Sequence, residues 1–285
     1  MVDTLFRMSQ LNTTNPGISA WWGRHSVPVG RSDFWQIGSL RLWIEHLPSR
    51  LHLRWTNTQD WLDAHMRHLP GTPFEKPQSR MDEATYVYGA KGSSDLVFSP
   101  CLPDRSIVVR SGKPVSVLPG DEVTAYLITP LWVRVDLANP TRVVREIPTY
   151  RLSDTWHGPT NVTGELAYSS PVGLLFDPRE VPLRSHCVVT PIVIQNHGLD
   201  ALTTERLLVP YRKLSLYYSS QTGFWTDLIT LERREDDAFP HMKIDNQAPH
   251  EASPSQFIAP PRQANVESSH TFGAFTRMFE RGHHE

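Results

Sequence analysis

The stretch Leu40-Arg41-Leu42-Trp43-Ile44-Glu45-His46-Leu47-Pro48-Ser49-Arg50-Leu51-His52-Leu53-Arg54-Trp55 decides the fold class. Leu40, Leu42 and Ile44 recur at every second position, with Arg41 and Glu45 opposite them beside Trp43. Pro48-Ser49 turns the chain, and Leu51, Leu53 and Trp55 resume the apolar face with His52 and Arg54 opposite. Side chains of a strand alternate between its two faces, so this pattern predicts a β-hairpin with one buried face.

The same period recurs outward from this hairpin. Further strands are expected at 85–88, 106–110, 114–118, 123–129, 131–137, 142–147, 165–169, 187–195, 204–209, 214–218 and 224–231. Turn signals separate them: Ser111-Gly112, Pro119-Gly120, Asn139-Pro140, Asn196-His197-Gly198 and Thr222-Gly223. Short strands with frequent turns predict an all-β protein with minor α content, an antiparallel β-sandwich or a pair of them. The expected organisation is an N-terminal β-rich unit over 18–112 and a C-terminal sandwich over 113–234.

Two helices are expected within this β plan. In 59–69, Leu62, Met66 and Leu69 fall on one helical stripe. After Arg234 the chain turns polar and carries Pro240, Pro249, Pro254, Pro260 and Pro261, a composition that predicts an extended arm over 235–267. An amphipathic helix over 268–281 then places Phe272, Phe275 and Phe279 on one face with Met278 at its edge. That stripe is either a cap or self-association surface of the protein or a motif that docks in a partner's groove. Deleting 236–285 is expected to leave a folded core that no longer holds the partner.

Composition narrows the function classes. The chain has 285 residues, of which 39% are hydrophobic and 20% charged, with a formal net charge of −2. These values exclude a wholly disordered chain and a generally basic nucleic-acid binder. The 24 prolines, about 8% against the usual ~5%, exclude long-helix bundles. Arginine outnumbers lysine 23 to 5. Met1 to Gly17 lacks an apolar core of signal-peptide length, and no run approaches ~18 uninterrupted apolar residues. With only Cys101 and Cys187, a cytoplasmic protein with reduced thiols is expected. The matches to the glycosylation pattern at Asn12 and Asn161 are then coincidental.

The richest polar segment is 150–170, where Asp154, Trp156, His157, Asn161 and Glu165 cluster around Gly158, Pro159 and Gly164. Trp156 offers a stacking face, and Asp154 with His157 would make an acid–base pair if the segment folded back on itself. The alternative role for these residues is structural: turn hydrogen bonds and core packing. Gly158 and Gly164 do not make a phosphate loop, since five residues separate them and Glu165 follows. His186 and Cys187 are strand neighbours, so they point to opposite faces and make no thiolate–base pair; Cys187 leads an apolar run and is expected to be buried. His65 and His68, near Asp63, would share a helical face able to hold a metal, but spacing implies no further ligand and solvated histidines are the simpler reading. No catalytic residue, metal or cofactor is assigned.

Several segments resemble a family known as domain of unknown function 432, found in archaea and bacteria. The segments are Pro114-Val115-Ser116-Val117-Leu118-Pro119-Gly120, the strand from Thr124 to Leu131, Ile147 to Leu152, Gly164 to Ser169, and Leu214-Ser215-Leu216-Tyr217-Tyr218. The similarity spans about 80–235 and transfers no catalytic residue. It implies genes that neighbour those of small mechanosensitive channels and, through that neighbourhood, a soluble accessory role.

The sequence thus favours a non-enzymatic cytoplasmic binding or accessory protein. Its expected partner is a protein, with a membrane channel or transporter in view, and no nucleic acid. The alternatives are a small-molecule-binding or hydrolytic enzyme built on 150–170, and a homo-oligomeric assembly unit joined through Phe272, Phe275 and Phe279.

Overall fold

A computed structural model describes residues 21–73, 83–88, 95–139, 141–158, 164–235, 237 and 240–263. The expected helix over 268–281, with Phe272, Phe275, Met278 and Phe279, lies outside the described residues, as does Asn161. The described chain is all-β, with twenty strands and three single-turn 3-10 helices. Among the described residues no helix is long and apolar enough to cross a membrane.

The chain divides into two compact units that interleave in sequence. One comprises Met1–Cys101, Pro130–Arg151 and Arg184–His186; the other comprises Leu102–Thr129, Leu152–Leu183 and Cys187–Glu285. The expected division between residues 112 and 113 instead falls inside a strand, Ile107–Val117. Strand pairing across sequence separations of a hundred residues outweighs serial order here, and no local composition shift records it.

The first unit holds a five-stranded and a four-stranded sheet. The five-stranded sheet has the order β5-β2-β3-β4-β6, formed by β2 (Ser32–Ile37), β3 (Leu40–Leu47), β4 (Arg50–Asn57), β5 (Met66–Pro70) and β6 (Glu83–Tyr88). The four-stranded sheet has the order β1-β7-β10-β11, formed by β1 (Gly23–Ser26), β7 (Asp95–Cys101), β10 (Trp132–Ala138) and β11 (Thr141–Pro148). The hairpin read from sequence is β3–β4, with Leu42 opposite Trp55 and Ile44 opposite Leu53. Leu40, Leu42, Ile44, Leu51, Leu53 and Trp55 are all buried, as their alternation predicts. Each such side chain taken fully from water contributes about 1.5–3 kcal/mol.

The second unit also holds two sheets. One has the order β12-β13-β8-β15, from β8 (Ile107–Val117), β12 (Ser153–His157), β13 (Glu165–Ser169) and β15 (Leu202–Val209). The other has seven strands in the order β19-β18-β14-β17-β16-β20, with β9 also paired to β14. Its members are β9 (Glu122–Pro130), β14 (Cys187–Asn196), β16 (Leu216–Ser219), β17 (Gly223–Thr226), β18 (Ile229–Arg233), β19 (His241–Ile244) and β20 (Gln256–Ala259). The expectation of purely antiparallel sheets is corrected: β13 runs parallel to β8, and β14 runs parallel to both β17 and β18. The nearly unbroken apolar run of β14 fits a strand buried on both faces, as parallel strands are.

Two further expectations are overturned. Residues 59–69 form no helix; they form a turn that leads into β5. Asp60 and Asp63 accept hydrogen bonds from the backbone N–H groups of Leu62 (2.8 Å) and His65 (2.9 Å). Such local side-chain bonds compete with helical ones. Leu62, one of the supposed apolar stripe, is 65% exposed. The proline-rich segment is likewise more than an arm, since β19 pairs with β18 and β20 with β16. Pro240 precedes β19, and Pro260 and Pro261 follow β20, so these prolines bound strands without interrupting their ladders. Ala252 and Ile258 of this segment are buried.

Candidate functional site

The segment 150–170 folds into the β12–β13 hairpin. Asp154 lies opposite Tyr168, Trp156 opposite Leu166, and His157 opposite Glu165. The strand period then decides which side chains meet. Asp154, Trp156, Leu166 and Tyr168 share one face, while His157 and Glu165 share the other with Thr155 and Ala167. The acid–base pairing of Asp154 with His157 is therefore not brought together.

On the first face, Arg105 donates from Nη1 to Asp154 Oδ1 (2.9 Å) and lies 5.1 Å from the Tyr168 ring centre. The Tyr168 hydroxyl donates to Asp104 Oδ1 (2.9 Å); burial first, then this carboxylate, raises its pKa. Trp156 and Leu166 stand side by side, 42% and 46% exposed. The result is an aromatic and aliphatic surface bordered by an ion pair.

On the second face, His157 is buried and its Nδ1 has no hydrogen-bond partner. Burial lowers its pKa, and Arg206 lowers it further, against an opposing pull from Glu165. The imidazole is therefore neutral at physiological pH. Gly164 is required here by space: a Cβ would lie 2.6 Å from the His157 carbonyl oxygen and 2.8 Å from Trp156 Nε1.

The other sequence candidates separate. His65 Nδ1 bonds Asp63 Oδ1 (2.7 Å) on the exposed turn. His68, now a strand residue, bonds Asp33 Oδ2 through Nε2 (2.9 Å) and stacks on Trp35 at 4.5 Å. The two histidines do not share a face or a ligand. Among the described residues, no group of three or more His, Cys, Asp or Glu side chains is arranged to hold a metal. Cys187 is buried, Cys101 is half-buried, and the two are not joined in a disulfide.

Two constellations escaped sequence reasoning. One surrounds Asp33, a buried carboxylate that accepts from His68 and from the Gly71 N–H (2.9 Å). His25 meets the His68 ring at 5.5 Å and donates from Nε2 to the Trp21 carbonyl (3.1 Å). Burial lowers the His25 pKa, partly offset by that carbonyl. Its members come from β1, β2 and β5, so no spacing announces it.

The other is the face of the five-stranded sheet opposite the apolar one. Arg54 is only 2% exposed, with its guanidinium 3.9 Å from the Trp43 ring centre. His52 stacks on Tyr86 at 4.2 Å. Arg50 lies 4.5 Å over Tyr86 and 5.8 Å from Tyr88, and donates from Nη1 to the Tyr88 hydroxyl (3.1 Å). Tyr86 and Tyr88 are 50% and 65% exposed. The alternation of His52 and Arg54 was visible in sequence; the part of Arg50 and the pairing with Tyr86 and Tyr88 were not.

These features define an all-β protein of two units, interleaved in sequence, with aromatic and charged groups side by side on its sheet surfaces. The family described as "Protein of unknown function (DUF432)" matches residues 21–279, and the chain belongs to that family. The match extends on both sides of the 80–235 span that carries the resemblance. No curated protein and no solved structure matches the chain.

Proposed function

We propose that this protein is a non-enzymatic binding or accessory protein that holds a protein partner through its sheet surfaces. One observation carries the reading. Asp154 and His157 face opposite sides of β12, while Trp156 and Leu166 stand exposed beside the Arg105–Asp154 pair. Exposed aromatic groups ringed by polar ones suit recognition of a partner. The absence of a Cys101–Cys187 disulfide suits a cytoplasmic setting. The family resemblance suggests a membrane channel or transporter as the partner. In this proposal the two sheets of each unit face one another as a sandwich. The Trp35–Phe98 contact at 5.1 Å supports this in the first unit, and the packing of Met242 against Val108, Ala167 and Leu208 supports it in the second.

Affinity capture with the full chain from native membranes and from cytosol, followed by mass spectrometry, tests the reading. A stoichiometric partner that the wild type retains and Trp156→Asp loses is the expected result. Failure to retain any stoichiometric partner from either fraction overturns it.

A further inference from the structure

We propose that the β6 edge of the five-stranded sheet is a docking site for an extended acidic segment of a partner protein, with Arg50 as its carboxylate-binding group. The inference deepens the binding reading above and rests on it.

The charge on this face is one-sided. The registers Gln36–Arg41, Phe34–Trp43–Arg54 and Ser32–Glu45–His52–Tyr86 place successive cross-strand partners on one side of the sheet. Adding Arg67, opposite Gln36, and Arg50, opposite Tyr88, gives four arginines among the described residues (Arg41, Arg50, Arg67 and the buried Arg54) against two carboxylates, Glu45 and the Asp63 that accepts from Gln36 (3.1 Å). The chain as a whole is slightly acidic, at −2. This face is therefore a local reversal of sign, and its complement is an anionic partner.

Arg50 is the cation set to use that field. It springs from β4, yet its guanidinium lies over Tyr86 and bonds the Tyr88 hydroxyl, so the group is carried across β6 toward the sheet edge. Stacking against tyrosine fixes the plane of the guanidinium, which lowers the entropy lost when it forks onto a carboxylate. Among the described residues β6 pairs with β4 alone, which makes its outer side the edge at which a strand would add. An extended peptide adding there would place alternate side chains on the Arg50 face, which is how strand addition combines backbone affinity with side-chain choice.

The same geometry disfavours a nucleic acid. Single-stranded nucleic acids bind such faces by stacking bases on open aromatic rings. Here Tyr86 already carries His52 at 4.2 Å and Arg50 at 4.5 Å. The surface presents guanidinium edges where a base platform needs open ring faces.

Fluorescence anisotropy tests the proposal. The full-length protein is titrated against a fluorescein-labelled Glu-Thr repeat decapeptide, with a Lys-Thr decapeptide and a ten-nucleotide oligo-dT in parallel. The expected result is saturable binding of the Glu-Thr peptide only, weakened at least tenfold by Arg50→Glu and by raising salt to about 0.5 M. Tyr88→Ser, at a well-exposed position, is expected to weaken binding severalfold. It provides a second measurement if Arg50→Glu fails to fold. Absence of Glu-Thr binding, equal binding by folded variants, or preference for oligo-dT would each overturn the assignment. Partner capture separates the two readings. A native partner retained equally by wild type and Arg50→Glu removes this edge but leaves the accessory role standing. Peptide binding at this edge without any native partner removes the accessory role alone.

Discussion

Gly38 lies directly against the imidazole of His186: a Cβ at position 38 would come within 2.6 Å of His186 Nε2. The backbone at Gly38 also has φ of +56°, in the left-handed region that L side chains rarely adopt. Any side chain here is therefore strained by conformation and by collision. Gly38→Ala is expected to lower the unfolding free energy by about 2–4 kcal/mol, combining the left-handed penalty with overpacking. Urea denaturation measures it; a loss within about 0.5 kcal/mol would mean that the ring yields freely.

The same histidine makes stability depend on pH. Burial pushes the His186 pKa down to about 4, and Arg184 adds to the effect, while Asp63 opposes it. The unfolded chain then binds a proton near 6.5, before the folded one does. Stability from this residue is intact above pH 6.5 and is lost as pH falls toward 4, a loss of about 3 kcal/mol when complete. In stability measured against pH, His186→Gln should flatten the curve across that window. Parallel curves for variant and wild type would refute the assignment.

The Tyr211 hydroxyl joins two buried hydroxyls, Thr129 Oγ1 at 2.7 Å and Thr190 Oγ1 at 2.9 Å. Burial raises its pKa to about 12, so it stays neutral and available for hydrogen bonding. Tyr211→Phe removes one hydroxyl and strands two others. A loss of about 1–3 kcal/mol is expected by chemical denaturation. The double variant with Thr129→Val should cost less than the sum of the two single changes, because the pair shares one network.

Removing 236–285 takes away β19 and β20, which border β18 and β16 in the seven-stranded sheet. It also removes the buried side chains of Ala252 and Ile258 and uncovers two strand edges. The truncated chain is expected to melt at least 10 °C lower than the full chain, or to aggregate, in thermal scans followed by circular dichroism. An unchanged transition would restore the picture of an arm that adds nothing to the fold.

Arg105 and Asp154 form a solvent-exposed pair, with side chains 36% and 64% exposed. Asp154→Asn is expected to change stability by no more than about 0.5 kcal/mol, since water and salt screen such pairs. A larger loss would show that Arg105 depends on this carboxylate to hold its place over Tyr168.

The strand period was legible because it is local. Leu40, Leu42, Ile44, Leu51, Leu53 and Trp55 were read as the inner face, and all six are buried. The same reasoning placed Arg54 outside, but stacking on Trp43 buries it. At 59–69, a helical spacing of Leu62, Met66 and Leu69 misled, because Asp60 and Asp63 bond their own backbone and β5 pairs with β2. The 150–170 segment was legible as rich in functional side chains, but its pairing register sends Asp154 and His157 to opposite faces.

By itself the sequence determined that this chain builds sheets, where many of its strands lie, and its family. Alternating apolar residues impose a two-residue period, and that period needs no distant partner to be recognised. Beyond the β3–β4 hairpin, tertiary structure decided which strands pair. It interleaved the two units, set β14 parallel to β17 and β18, and joined Asp33 to His68 across 35 residues. It also brought Arg50 onto Tyr86 and Tyr88. The physical reason is that a backbone N–H or C=O is satisfied equally well by a near or a remote strand. The choice falls to whichever closure buries the most apolar surface, a property of the whole chain rather than of any window within it.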